Sequence, residues 1–315
     1  MLSTLPRLAA LCLFFFLLTL APARADSPPR VVASILPIHS LVASVMAGVG
    51  QPTLLVKGGG SPHSYALRPS EARSLARADL VVWVGPELES FLEKPLSSLG
   101  GGAKLLTLAA ALEGELLAAR EGGGWEEGGS HAKSHHGHGH GATDPHFWLD
   151  PRLAGRVAGL LAEALGEADP AHRERYRENG AALVERLEGL YVEMQERIAP
   201  VREVPYVVFH DAFQYLERTF ELRAAGALTI NPDRKPGARR LREIRAEIRR
   251  LEARCVFSEP QFEPRLVAAV IEGTGARSGE LDPLGAKLSP GPEAYFELLR
   301  RLAASLEEGL LPAPP

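Results

Sequence analysis

Short apolar runs alternate with helical segments twice along this chain, and one long helical segment separates the two series. In the first series Arg30–Leu36, Thr53–Lys57, Asp79–Gly85 and Lys104–Leu108 read as strands. Helices are expected over Ser40–Ala47, from the Arg68-Pro69-Ser70 cap to Ala78, and from Pro86 to about Leu99. The second series places strands at Val204–Phe209, Ala225–Ile230, Cys255–Glu259 and Arg277–Leu281. Its helices run from Gly237 to about Glu252, from Pro264 to Gly273 and from Pro292 to Leu306. Near-continuous apolar strands are covered on both faces, and this alternation specifies βα units on mostly parallel sheets.

Between the series, Leu153–Leu165 is amphipathic, and Asp169-Pro170 supplies an N-cap and a first-turn proline for a longer helix ending near Ile198. At about 1.5 Å per residue that helix reaches roughly 40 Å. It reads as a rigid strut joining two α/β lobes; an ordinary packed helix is the alternative. The expected division is a leader over residues 1–25, an N-terminal α/β lobe over 26–168, a linker helix over 169–198 and a C-terminal α/β lobe over 199–315. A metal or other ligand would sit in the cleft between the lobes.

The leader rests on Arg7, the apolar run Leu8–Leu20 and an A-x-A pattern at Ala23-Arg24-Ala25. The run falls short of the roughly 20 apolar residues of a membrane span. A cleaved signal peptide and a soluble, exported, periplasmic protein are therefore expected. Without Arg7 and Arg24 the chain keeps 33 basic against 39 acidic residues, near −6, which gives no support to a nucleic-acid partner. Cys255 is then the sole cysteine; inside the strand-like Ala253–Ser258 it reads as an inert core residue.

Residues 122–142 form a Gly-interleaved tract carrying His131, His135, His136, His138 and His140. It has no apolar period, so it reads as a mobile loop that collects metal; a solvated linker or a tag-like accident is the alternative. A sixth histidine, His146, follows in the Pro-braced Asp144-Pro-His-Phe-Trp148. His63 and His210 each follow an expected strand, and Glu259 and Asp282 occupy the same kind of position. Ligands of open α/β folds gather beyond the carboxyl ends of the strands. Convergence there would bring together three imidazoles and one carboxylate, a four-coordinate set suited to Zn²⁺. His39 and His172 read as packed and solvated residues, Trp83 and Phe147 as core and pocket wall. Arg239 to Arg250 reads as a helix face salt-bridged through Glu243 and Glu247.

Six segments carry a resemblance over essentially the whole chain: Ser61-Pro-His63 through Ser70, Ala78–Glu87, Asp144–Leu149, Phe209–Ala212, Phe257–Phe262 and Leu281–Gly285. In them the chain resembles the zinc-specific solute-binding proteins of ABC importers, the ZnuA type within the cluster A-I (cluster 9) family. The resemblance implies two α/β lobes bridged by a long helix, with Zn²⁺ held between them by His63, His146 and His210. Asp282 matches the family's C-lobe aspartate, and the fourth ligand is Asp282 or water. The implied partners are the zinc ion and a membrane permease with its cytoplasmic ATPase, and a monomer is expected. Pro62 stands where some members carry an acidic residue. The last helix offers no partner for Cys255, so the disulfide of many members is absent.

Two other readings compete with periplasmic zinc capture. A zinc hydrolase could use a three-histidine site with an open position, and Glu259 would be its only candidate base. The chain has no His-Glu-x-x-His motif to favour it. The second is a periplasmic zinc buffer or adhesin working without a transporter.

Overall fold

The computed structural model describes residues 27–98, 102–120, 143–229, 237–262 and 265–312. The leader and the histidines of the 122–142 tract lie outside the described residues.

Strands β1 (Val31–Ala33), β2 (Thr53–Leu54), β3 (Leu80–Trp83) and β4 (Lys104–Thr107) form one sheet in the order β2-β1-β3-β4. Strands β5 (Tyr206–His210), β6 (Ala224–Thr229), β7 (Cys255–Ser258) and β8 (Arg277–Glu280) form a second in the order β6-β5-β7-β8. Every pairing is parallel. In each sheet the direction of winding reverses between the first and third strands, which opens a crevice at their carboxyl ends.

The ten helices assigned among the described residues are α1 (Leu36–Val45), α2 (Pro69–Ala76), α3 (Ser90–Ser97), α4 (Leu108–Ala111), α5 (Pro151–Ala168), α6 (Arg173–Ile198), α7 (Gln214–Phe220), α8 (Ala238–Arg250), α9 (Arg265–Ile271) and α10 (Ala294–Leu310). α1 begins at Leu36, inside the run expected to be strand, because Pro37 suits a first helical turn and cannot donate to a ladder. α7 was not anticipated from sequence.

Strand parity sorts the side chains into layers, since successive residues face opposite sides. Val31, Ala33, Leu80, Val82, Tyr206, Val208, Cys255 and Phe257 point into one large core that runs from Val31 to Leu310 and joins the two lobes. Val32, Val81 and Trp83 face α2 and α3, and Val207, Phe209 and Val256 face α8 and α9. The same parity turns His210 toward the inter-lobe side, with Tyr206 and Val208. Cys255 is free and fully buried, and burial pushes its thiol up to about 12, so it is unreactive.

α6 packs on α5, α1 and α10, so it is both a bridge and a core helix. Leu183, Leu187, Leu190, Met194 and Ile198 form its buried stripe. At Gly180 a Cβ would lie 3.0 Å from Ala162 Cβ, a tight contact that glycine avoids where α5 and α6 approach closely. Polar ties also cross between lobes. Ser40 Oγ donates to Pro292 O at 3.0 Å and accepts from Tyr295 N at 2.9 Å. Trp148 Nε1 donates to Pro283 O at 2.8 Å, and Tyr295 OH donates to Trp148 O at 2.6 Å.

Candidate metal centre

Three segments deliver three imidazoles to one point. His63 sits in the loop between β2 and α2, which is anchored where Glu71 accepts from Arg68 N at 2.8 Å and from Tyr65 OH at 2.9 Å. His146 precedes the turn Phe147–Leu149, buried in the core, and α5 follows with Asp150 capping it through Arg152 N at 2.8 Å. His210 ends β5. The ligand atoms of His63, His146 and His210 all lie within 4.8 Å of one another, and no other such group occurs among the described residues. An ion with bonds of about 2.0–2.1 Å could engage all three after small side-chain rotations.

Carboxylates fix two of the rings. His146 Nδ1 lies 2.8 Å from Asp144 Oδ1, and His210 Nδ1 lies 2.9 and 3.0 Å from the two oxygens of Glu259. A carboxylate accepts, so each Nδ1 carries the proton and each Nε2 keeps its lone pair free for a metal. His210 Nε2 is buried and has no hydrogen-bond partner among the described residues, an orphan that a bound ion would satisfy.

Burial, then the neighbouring His210 and His146, push His63 down to about 2, so its ring is neutral at physiological pH. Burial opposes charge on His210, but Glu259 beside it, together with Asp211 and Asp144, outweighs burial and raises its pKa above the ordinary value. The cavity they line measures ≈ 10 Å³, the scale of an ion or a water rather than an organic molecule. Leu88, Trp148, Phe262 and Pro283 supply its apolar wall.

Asp282 does not join the three imidazoles. Its carboxylate accepts from Gln261 Nε2 at 3.0 Å and from the backbone N–H groups of Leu284, Gly285 and Ala286 at 3.1, 2.9 and 2.6 Å. His39 is buried with Nε2 3.1 Å from Pro52 O, and His172 pairs with Asp169 at 2.8 Å; neither approaches the centre. Along α8, Arg239 pairs with Glu243 at 2.9 Å and Arg250 pairs with Glu247, as the helical spacing implied.

Sequence reading missed a ring of supports. Arg120 bonds Asp211 at 3.1 Å and pairs with Glu217 at 2.8 Å, and Tyr215 OH accepts from Leu117 N and donates to Asp144 O, both at 2.9 Å. Tyr215 and Glu217 lie on α7. The one signal for that helix was Phe213, Leu216 and Phe220 at spacings of three and four, close behind a strand.

Comparison with known proteins agrees with this geometry. Residues 31–309 match the family model ZnuA, "Zinc-uptake complex component A periplasmic". The chain is 45% identical to the high-affinity zinc uptake system protein ZnuA of Brucella abortus over 312 residues, covering 89% of this chain and 91% of that one. It is 37% identical to the protein of the same name from Yersinia pestis, covering 87% and 88%. Among solved structures, a mutant of the laminin-binding adhesin Lmb from Streptococcus agalactiae superposes with a TM-score of 0.74 at 27% identity, covering 90% of this chain and all of that one. With the family model spanning nearly all of the described fold, this chain belongs to the ZnuA family of periplasmic zinc-uptake components.

Proposed function

We propose that the protein captures Zn²⁺ in the periplasm and delivers it to an ABC-type importer, and that His63, His146 and His210 hold the ion. The observation that carries this reading is the convergence of three imidazoles, two of them oriented by buried carboxylates, on an ion-sized cavity. Neutral imidazole suits zinc, and three nitrogens leave one position for water or Asp282. The protein is a binding protein and not an enzyme: its family is that of periplasmic zinc-uptake components, and Glu259 is committed to His210.

The ion is cargo, so its partners are a permease and ATPase of the importer. Residues 1–25 serve as a cleaved leader, the mature chain is a monomer, and the histidines of residues 122–142 collect additional zinc. Residues 26–168 and 199–315 act as the two lobes, with residues 169–198 as their link. No described helix is long and apolar enough to cross a membrane.

Metal titration of the purified mature protein tests the reading. One tight zinc is expected, together with a rise in Tm. A ligand bound only to the folded state adds about 4.1 kcal/mol at 1,000 times its Kd. At roughly 2–4 °C per kcal/mol, the shift is about 8–16 °C. His146→Ala should abolish most of it, and an unchanged shift would remove His146 from the site.

A further inference from the structure

The fourth position on the ion is open to assignment from the groups that face it. Asp282 is the carboxylate that the family resemblance suggests, yet it is tied into its own loop and is not among the residues that line the cavity. Asp282 Oδ1 accepts from Gln261 Nε2 and from the N–H groups of Leu284 and Gly285, and Oδ2 accepts from Ala286 N–H. Those three backbone donors hold the turn that follows β8 on the Asp282 carboxylate. Asp282 is thus the organiser of its loop.

Gln261 has the opposite balance. Since Asp282 can only accept, the hydrogen bond at 3.0 Å fixes the Gln261 amide with its nitrogen toward Asp282 and its oxygen turned away. That oxygen is buried and without a partner among the described residues, in a side chain that lines the cavity shared by His63, His146 and His210. Three residues that line this cavity each carry a buried polar atom without a partner among the described residues: His210 through Nε2, Ser61 through Oγ and Gln261 through Oε1, and of these the amide oxygen can accept but not donate.

We propose that Gln261 is a positioning residue for the bound ion: its amide oxygen accepts a hydrogen bond from a water that fills the fourth coordination position, while Asp282 holds the amide in place from behind. This rests on the three-histidine site proposed above. The amide oxygen accepts a hydrogen bond but takes no proton, so Gln261 orients the water without acting as a base. A first shell without a carboxylate also leaves the ion its full positive charge.

The test uses the purified mature protein loaded with Co²⁺ or Zn²⁺. In ¹⁷O-enriched water, the Co²⁺ protein should show a hyperfine coupling to one bound oxygen. Gln261→Leu removes acceptor and donor and should weaken zinc by roughly 10- to 100-fold, the usual effect of losing an outer partner. Gln261→Glu sets a second carboxylate against Asp282, where the pair retains one shared proton that bridges them; an acceptor oxygen is kept, and zinc should bind within about threefold of the parent or more tightly. Absence of the ¹⁷O coupling overturns the proposal, because a protein atom would then fill the fourth position. Equal losses in the leucine and glutamate variants also overturn it, because the acceptor oxygen would then contribute nothing to holding the ion. The three-histidine reading fails separately, if His63→Ala leaves the parent's single tight site intact.

Discussion

Glu259 receives the Nδ1 proton of His210 between its two oxygens, at 2.9 and 3.0 Å, and both residues are almost completely buried. They stand at the carboxyl ends of β5 and β7, neighbouring strands on either side of the point where the second sheet reverses its winding. The topology thus brings a ligand and its orienting carboxylate together with no dedicated loop.

Removing the charge of Glu259 while keeping its shape should loosen the metal without unfolding the protein. In Glu259→Gln an amide oxygen can still accept from Nδ1, but the neutral partner raises the basicity of Nε2 less. Zinc affinity should fall by about 10- to 100-fold, as for other outer-shell carboxylates. Competition titration against a chelator of known affinity measures this. Affinity equal to the parent's would mean that the pair serves packing and not the ion.

The ends of the histidine-rich tract are held whatever lies between them. Ala118 and Thr143 form an antiparallel bridge, Asp144 N donates to Leu117 O at 2.9 Å, and Arg120 is fastened to Asp211 and Glu217. Deleting Ser130 to Gly141 should therefore leave the tight site intact and remove weaker sites, whose histidines lose ordering entropy on binding. Loss of the tight site in the deletion would show that the tract supplies a primary ligand.

Much of this was legible in the chain because β1, β3, β5 and β7 are covered on both faces, which leaves continuous apolar runs such as Leu80–Trp83. His63 and His210 could be singled out because βα topology places residues after strands at a cleft. The orienting groups were harder. Asp144 lies beside its histidine, but Glu259 lies 49 residues from His210, and no local period encodes that pairing. The orientation of Gln261 depends on Asp282, 21 residues on, and on three backbone donors that exist only once the turn has formed. α7 escaped notice because seven residues give scarcely two turns of periodicity.

Glu89 should make stability fall as pH rises. It is completely buried; one oxygen accepts from Val84 N at 2.8 Å and Gly85 N at 3.1 Å, while the other has no partner among the described residues. Burial pushes its pKa up to about 7 from an ordinary 4.5, against the pull of Ser34 and those two N–H groups. A raised acid binds its proton more strongly in the native state. Its contribution is fully present below about pH 4.5 and is lost as pH rises through about 7. The whole effect is on the order of 3 kcal/mol. Glu89→Gln imitates the protonated acid, so denaturant unfolding between pH 5 and 8 should show a flatter profile and a more stable variant at pH 8. Glu217, which burial also pushes up to about 7, leaves a residual slope of the same sign. Parallel profiles for parent and variant would rule Glu89 out as the source.

His210 should control how well the site tolerates manganese. Imidazole suits Zn²⁺, whereas carboxylate and water suit Mn²⁺, and zinc exceeds manganese at most N/O sites. In His210→Glu the new carboxylate would face Glu259 at close range in a buried pocket, where two such groups cannot both ionise. The metal-free variant should therefore be less stable than the parent, increasingly so as pH rises and the shared proton is lost. Adding Glu259→Gln removes one of the two charges and should restore that stability. Zinc should bind the single variant more weakly, and the zinc-to-manganese affinity ratio should narrow, because the ion gains a harder, charged oxygen in place of a nitrogen. Thermal melts of the metal-free forms and paired zinc and manganese competition titrations measure both effects. A ratio unchanged by His210→Glu would mean that His210 does not touch the ion, and its orphaned Nε2 would then need a different occupant.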